Sequence, residues 1–144
     1  MTPKAEQSGV AFDQRIAKFV VRGLSRTTLT PNQVTLFSIF LGLAVAWMYT
    51  QGGAMAHAAG ALFIVTVWLD HVDGELARAT GRTSEFGHYF DHFAAMTNYV
   101  AMFVGAGIGA RMGFLDWNAI YLGIAAGASI VLIMSIRMYA EGRF

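Results

Sequence analysis

At 144 residues the chain is sized for one domain. Hydrophobic residues make up 56% of it and charged residues only 13%, against roughly 25% charged in soluble domains, which excludes an ordinary water-soluble globule and points to a membrane. The net charge of +1 carries no message until its distribution is known, and the absence of cysteine excludes a disulfide framework, a thiolate metal site and a thiol nucleophile.

Residues 1–10 are polar, and no apolar signal-peptide core precedes Thr30, so no cleaved leader is expected. Residues 11–26 read as an amphipathic helix. Phe12, Ile16, Phe19, Val20 and Leu24 fall near one stripe, with Arg15, Lys18 and Arg22 on other sides. Such a helix lies on a membrane surface with its basic residues among anionic headgroups. Leu29-Thr30-Pro31-Asn32 then reads as a break and a helix start, with Thr30 as N-cap and Pro31 at the first helical position. Four apolar stretches follow, near 34–50, 54–79, 84–110 and 117–139, each long enough to cross a bilayer. Gln51-Gly52-Gly53, the polar residues 80–84 and residues 111–116 separate them. There is no strand alternation and no tandem repeat. The expectation is an all-α polytopic membrane bundle, residues 1–144 as one domain, with four transmembrane helices behind an N-terminal interfacial helix.

The distribution of basic residues orients the bundle. With a cytoplasmic N-terminus, Lys4, Arg15, Lys18, Arg22, Arg26, Arg78, Arg82, Arg137 and Arg143 all lie on or near that side, and Arg111 alone lies opposite. The positive-inside rule then places the end of the second span and the start of the third at the cytoplasmic face. Gly105-x-x-x-Gly109 and Gly123-x-x-x-Gly127 permit close helix crossing, either within the chain or in a homodimer.

The chemistry concentrates between Asp70 and Ala95. Asp70 and Asp73 stand three apart near the end of the second span, followed by Gly74, Ala77 and Arg78; Gly87, Asp91 and Ala95 follow at four-residue steps. At about 100° per residue, Asp70, Asp73, Gly74 and Ala77 share one helical face, and Gly87, Asp91 and Ala95 share another. Carboxylates at the end of an apolar helix are costly unless paired or metal-bound, so they suggest function. Three of them beside glycine form a pattern suited to a hard cation and phosphate.

Asp70-x-x-Asp73-Gly74-x-x-Ala77-Arg78, then eight residues, Gly87, three residues and Asp91, resembles the signature of the CDP-alcohol phosphotransferases, integral membrane enzymes of phospholipid synthesis. The Thr30-Pro31-Asn32 entry to the first span is similar to the family too. The resemblance covers residues 28–141. In the family the pattern continues with a fourth Asp, where this chain has Ala95. Family members generally have six spans and this sequence supports four, so the chain is expected to correspond to the N-terminal part of a family member.

The resemblance implies a transferase that moves a substituted phosphate from a CDP-linked lipid such as CDP-diacylglycerol to an acceptor alcohol, releasing CMP. It implies Mg²⁺ or Mn²⁺ held by Asp70, Asp73 and Asp91, with Asp91 also a catalytic residue. It implies a nucleotide site formed by Pro31, Asn32, Asp73, Gly74, Ala77, Arg78 and Gly87. The expected base position holds Ala95, which is neither a ligand nor a base; His92, one turn away, is the nearest substitute. Loss of a general base costs about 10²–10⁴-fold. The alternative is therefore a catalytically impaired relative that still binds CDP and a divalent metal. A minor alternative, an ion or proton pathway, explains the acids but not the glycine spacing. The expected partners are the lipid bilayer, the donor and the acceptor, with no nucleic acid. The expected location, for a prokaryote, is the inner or plasma membrane.

Overall fold

A computed structural model describes residues 19–113 and 116–140. The proposed interfacial helix falls mostly outside these residues; its described part, residues 19–24, is helical. Here Val21 packs with Val34, Val72 and Leu76, and Val20 and Leu24 lean on the same cluster. Phe19, on the apolar stripe of the sequence pattern, is 80% exposed.

Four long helices follow: α1 (Pro31–Thr50), α2 (Gly53–Thr80), α3 (Glu85–Gly113) and α4 (Asn118–Ala140). All four are long and apolar enough to cross a membrane, and no strand occurs among the described residues. The fold is an all-α membrane bundle. Its large outward residues are apolar, among them Phe40, Ile64, Tyr121 and Ile133, each at least 60% exposed, as a lipid solvent requires.

Local chemistry sets the helix ends. Thr30 and Gln33 form a reciprocal capping box, and Pro31 follows as the first helical residue. Gly52 and Gly53, both at positive φ, reverse the chain between α1 and α2. At the other end of α2, Gly81 adopts the left-handed conformation. Its N–H donates to Arg78 O, and Arg82 N–H donates to Ala77 O. This is a Schellman cap. Ser84 then opens α3 by accepting from the Gly87 N–H at 3.0 Å.

α1 packs on α2 and α3, α4 packs on α3, and α2 touches α3 only sparingly. Glycine sets the seams. A Cβ at Gly105 or Gly109 would overlap the backbone of Ala46 or Tyr49, so α1 and α3 meet backbone to backbone. A Cβ at Gly107 would lie 2.6 Å from Ala119 O, and one at Gly123 2.5 Å from Phe103 O. The glycine spacings noted in the sequence therefore serve contacts inside the chain, and Gly107 joins them. Gly123→Val should lower the thermal unfolding midpoint in detergent by several degrees, through overpacking of about 1–3 kcal/mol. Ile124→Val, on the outward side of the same helix, should leave it unchanged. Intrinsic fluorescence on heating measures both.

Candidate functional site

The N-terminus of α1, the C-terminus of α2 and the N-terminus of α3 gather at one end of the bundle around a cavity of about 750 Å³. α1 contributes Pro31, Asn32 and Thr35; α2 contributes Asp73, Gly74, Ala77 and Arg78. The connection and α3 contribute Arg82, Thr83, Ser84, Glu85, Gly87, His88, Tyr89 and Asp91. Every residue named in sequence for the nucleotide site is therefore in one wall, although the stretches are separated by up to 56 positions, from Pro31 to Gly87.

Asp73 is 2% exposed. Thr35, itself buried, donates its hydroxyl to Asp73 Oδ2 and also lies 3.1 Å from the Pro31 carbonyl. One hydroxyl has one proton, and the charged acceptor takes it. The sequence reading missed Thr35, because nothing local ties it to a residue 38 positions away. Thr35→Val removes the donor without changing shape. It should destabilise the protein by about 1.5–3 kcal/mol, the worth of a hydrogen bond to a charged group. Thr35→Ser should recover most of that, measured by denaturant unfolding in mixed micelles.

Asp70 is placed differently. It does not line the large cavity but a second one of about 20 Å³, with Thr66, Ala95, Asn98 and Tyr99 among its walls. It still lies within hydrogen-bonding reach of Asp91 across α2 and α3. The position expected to hold a base, Ala95, thus opens on the small cavity and not the large one. His92 lines neither cavity; its Nδ1 is 3.2 Å from His88 O, and its ring is 4.5 Å from that of His88. His88 lines the large cavity. His71 is exposed.

Arg78 pairs with Glu75 at 3.0 Å, but both side chains are largely exposed, at 64% and 42%. Such a pair is worth at most about 1 kcal/mol, so it does not fix the guanidinium in place. Gly87 serves contact more than empty space. A Cβ there would lie 3.1 Å from Ser84 Oγ and 3.3 Å from Asn32 Oδ1, so glycine lets α3 come close to α1.

The sequence matches the CDP-alcohol phosphatidyltransferase family over residues 28–143. The chain belongs to that family. It is 31% identical over 100 residues to an archaetidylinositol phosphate synthase of Pyrococcus horikoshii, covering 69% of this chain and 50% of that relative. It is 33% identical over 110 residues to a CDP-diacylglycerol–serine O-phosphatidyltransferase of Helicobacter pylori, covering 76% and 44%. It is 46% identical over 50 residues to human cholinephosphotransferase 1, covering 34% and 12%. The chain thus spans half or less of the length of these curated relatives.

Members of this family are generally metal-dependent, and the donor chemistry here fits a hard divalent cation. Oδ1 of Asp70, of Asp73 and of Asp91 are each buried without a hydrogen-bond partner. Buried carboxylates are costly unless a cation neutralises them. The three do not form a ready-made cage: among the described residues no three such side chains meet around one point. Asp70 and Asp91 form a pair, and Asp73 stands beside it on the cavity wall.

Proposed function

We propose that this chain forms the donor-binding part of a phospholipid-synthesis transferase. It would take a substituted phosphate from a CDP-alcohol and pass it to an acceptor alcohol with release of CMP. The observation that carries the reading is the large cavity, which gathers Pro31, Asn32, Asp73, Gly74, Ala77, Arg78, Gly87 and Asp91 from three helix ends.

In this reading Asp70, Asp73 and Asp91 hold Mg²⁺ or Mn²⁺, which when bound neutralises the diphosphate and stabilises the leaving CMP. Gly74 and Ala77 leave the α2 wall low enough for the nucleotide to lie against it. Arg78 leaves Glu75 to pair with a phosphate oxygen. At the α1 N-terminus Pro31 has no N–H and Gln33 N–H is held by Thr30, so the Asn32 N–H is the backbone donor left for the same anion. The acceptor hydroxyl oxygen bonds to the transferred phosphorus as the bond to CMP breaks. Its proton must go to a base; of the carboxylates on the large cavity, Asp91 is the candidate, since Asp73 is held by Thr35. With Ala95 in place of a fourth acid, binding outlasts turnover, and a relative that binds CDP and metal without fast transfer is the second reading.

The test is a titration of the purified chain with CDP, with and without Mn²⁺. Binding that requires the metal is the expected result; equal binding in its absence overturns the reading. The cavity is proposed to face the cytoplasm. A single cysteine at Thr83, in a chain with none, should be shielded from an impermeant thiol reagent outside intact cells, and one at Asp116 should be labelled.

A further inference from the structure

α2 carries Asp70, Asp73 and Arg78, yet it packs mainly on α1 and touches α3 only sparingly. A second brace stands at the end that bears the large cavity. Val21, in the helical segment 19–24, is 6% exposed and packs in one cluster with Val34 of α1 and with Val72 and Leu76 of α2. Leu69 of α2 packs against the same cluster. Leu69, Val72 and Leu76 recur at steps of three and four and form one stripe of α2. Asp73 borders that stripe, about 40° from the direction of Leu69 and about 60° from that of Leu76, whereas Asp70 is turned about 100° or more from every member. On α1, Val34 is followed by Thr35, which donates its hydroxyl to Asp73. The cluster around Val21 therefore holds the residue before each partner of that buried bond, and Val21 itself lines neither of the two cavities.

We propose that Val21 is a positioning residue for Asp73: it wedges against the α1–α2 pair and keeps Thr35 and Asp73 in register for the metal and the diphosphate. Interiors are close-packed, so a cluster that closes on two helices fixes their separation. The Thr35–Asp73 bond crosses those same two helices, and α3, sparsely packed on α2, does little to fix α2. Trimming Val21 leaves a gap at that level into which the helices relax only in part. Asp73 then keeps its charge but not its direction. Loss of a group that orients a ligand carboxylate typically weakens metal binding about 10–100-fold. This role rests on the reading of Asp73 as a metal ligand, which the experiment tests separately.

The detergent-solubilised chain is titrated with Mn²⁺ and CDP, bound Mn²⁺ is followed by electron paramagnetic resonance, and thermal unfolding in EDTA is the second readout. Val21→Ala should weaken Mn²⁺-dependent CDP binding about tenfold and alter the bound-Mn²⁺ spectrum, and Val21→Ile should keep most of the affinity. Val45→Ala is the control. Val45 is 0% exposed in α1, ten residues from Thr35 and so about 15 Å along the helix. The substitution removes the same methyls far from Asp73, and should lower the unfolding midpoint while leaving the affinity within about twofold. Equal weakening by Val21→Ala and Val45→Ala would mean general loosening and overturns the positioning role. So does loss of binding in Asp73→Asn with none in Val21→Ala. If Asp73→Asn itself changes nothing, the ligand reading of Asp73 fails and this role with it. Should Val21→Ala fail to fold, Leu24→Ala trims the same cluster from its partly buried edge and is read against the same expectation.

Discussion

Replacing Asp73 by Asn is expected to abolish metal-dependent CDP binding, with at least a 100-fold loss of affinity, while the metal-free protein becomes more stable. Both effects have one cause. Asp73 is 2% exposed and its Oδ1 has no partner, so the metal-free fold carries a buried charge at a cost. Asn keeps the shape and still accepts from Thr35, but the charge that would balance a cation is gone. Isothermal titration with CDP and Mn²⁺, beside thermal unfolding in EDTA, measures the pair. A residue that merely held helices together would lose stability on substitution, so the opposite signs identify a charge retained for a ligand.

Ala95→Asp is expected to raise transfer at least about tenfold when the protein is expressed from its complete reading frame, at the low end of general-base effects. The carboxylate would enter the small cavity beside Asp70, on the stripe that carries Asp91 one turn earlier. In EDTA it should lower the unfolding midpoint, because another buried acid joins the Asp70–Asp91 pair, and divalent metal should reverse the loss. Transfer is read by CMP release with a CDP-linked lipid and an added alcohol. His88→Ala and His92→Ala accompany it. A parent already fully active with Ala95, and inactivated by loss of either histidine, would move the base to histidine.

Much of the bundle was legible in the sequence because lipid simplifies the code. Apolar runs of bilayer length, interrupted at Gly52–Gly53 and at residues 80–84, bound the helices to within a few residues. Thr30-Pro31 marks a start by a local rule, and the capping box obeys it. The residues that line the large cavity were legible for a different reason: their spacing is a family signature. What was hidden depends on neighbours. Asp70 and Asp73 differ by only about 60° around α2, and no local rule tells that α1 would claim Asp73 through Thr35 while Asp70 would turn to the small cavity. The same blindness favoured His92 over His88, since direction on one helix says nothing of which side the cavity takes.

The glycine seams have an evolutionary consequence. Along residues 105–109, α3 has backbone against it from α1 on one side and from α4 on the other, so even an apolar side chain of perfect hydropathy is unwelcome there. Positions such as Ile64 and Ile133, 72% and 60% exposed, should accept almost any lipid-soluble residue. Descendants of this chain should therefore drift fast on the outer faces of α2 and α4 and slowly along α3. An aligned set of close orthologues should show a helix as apolar as its neighbours with far fewer accepted substitutions.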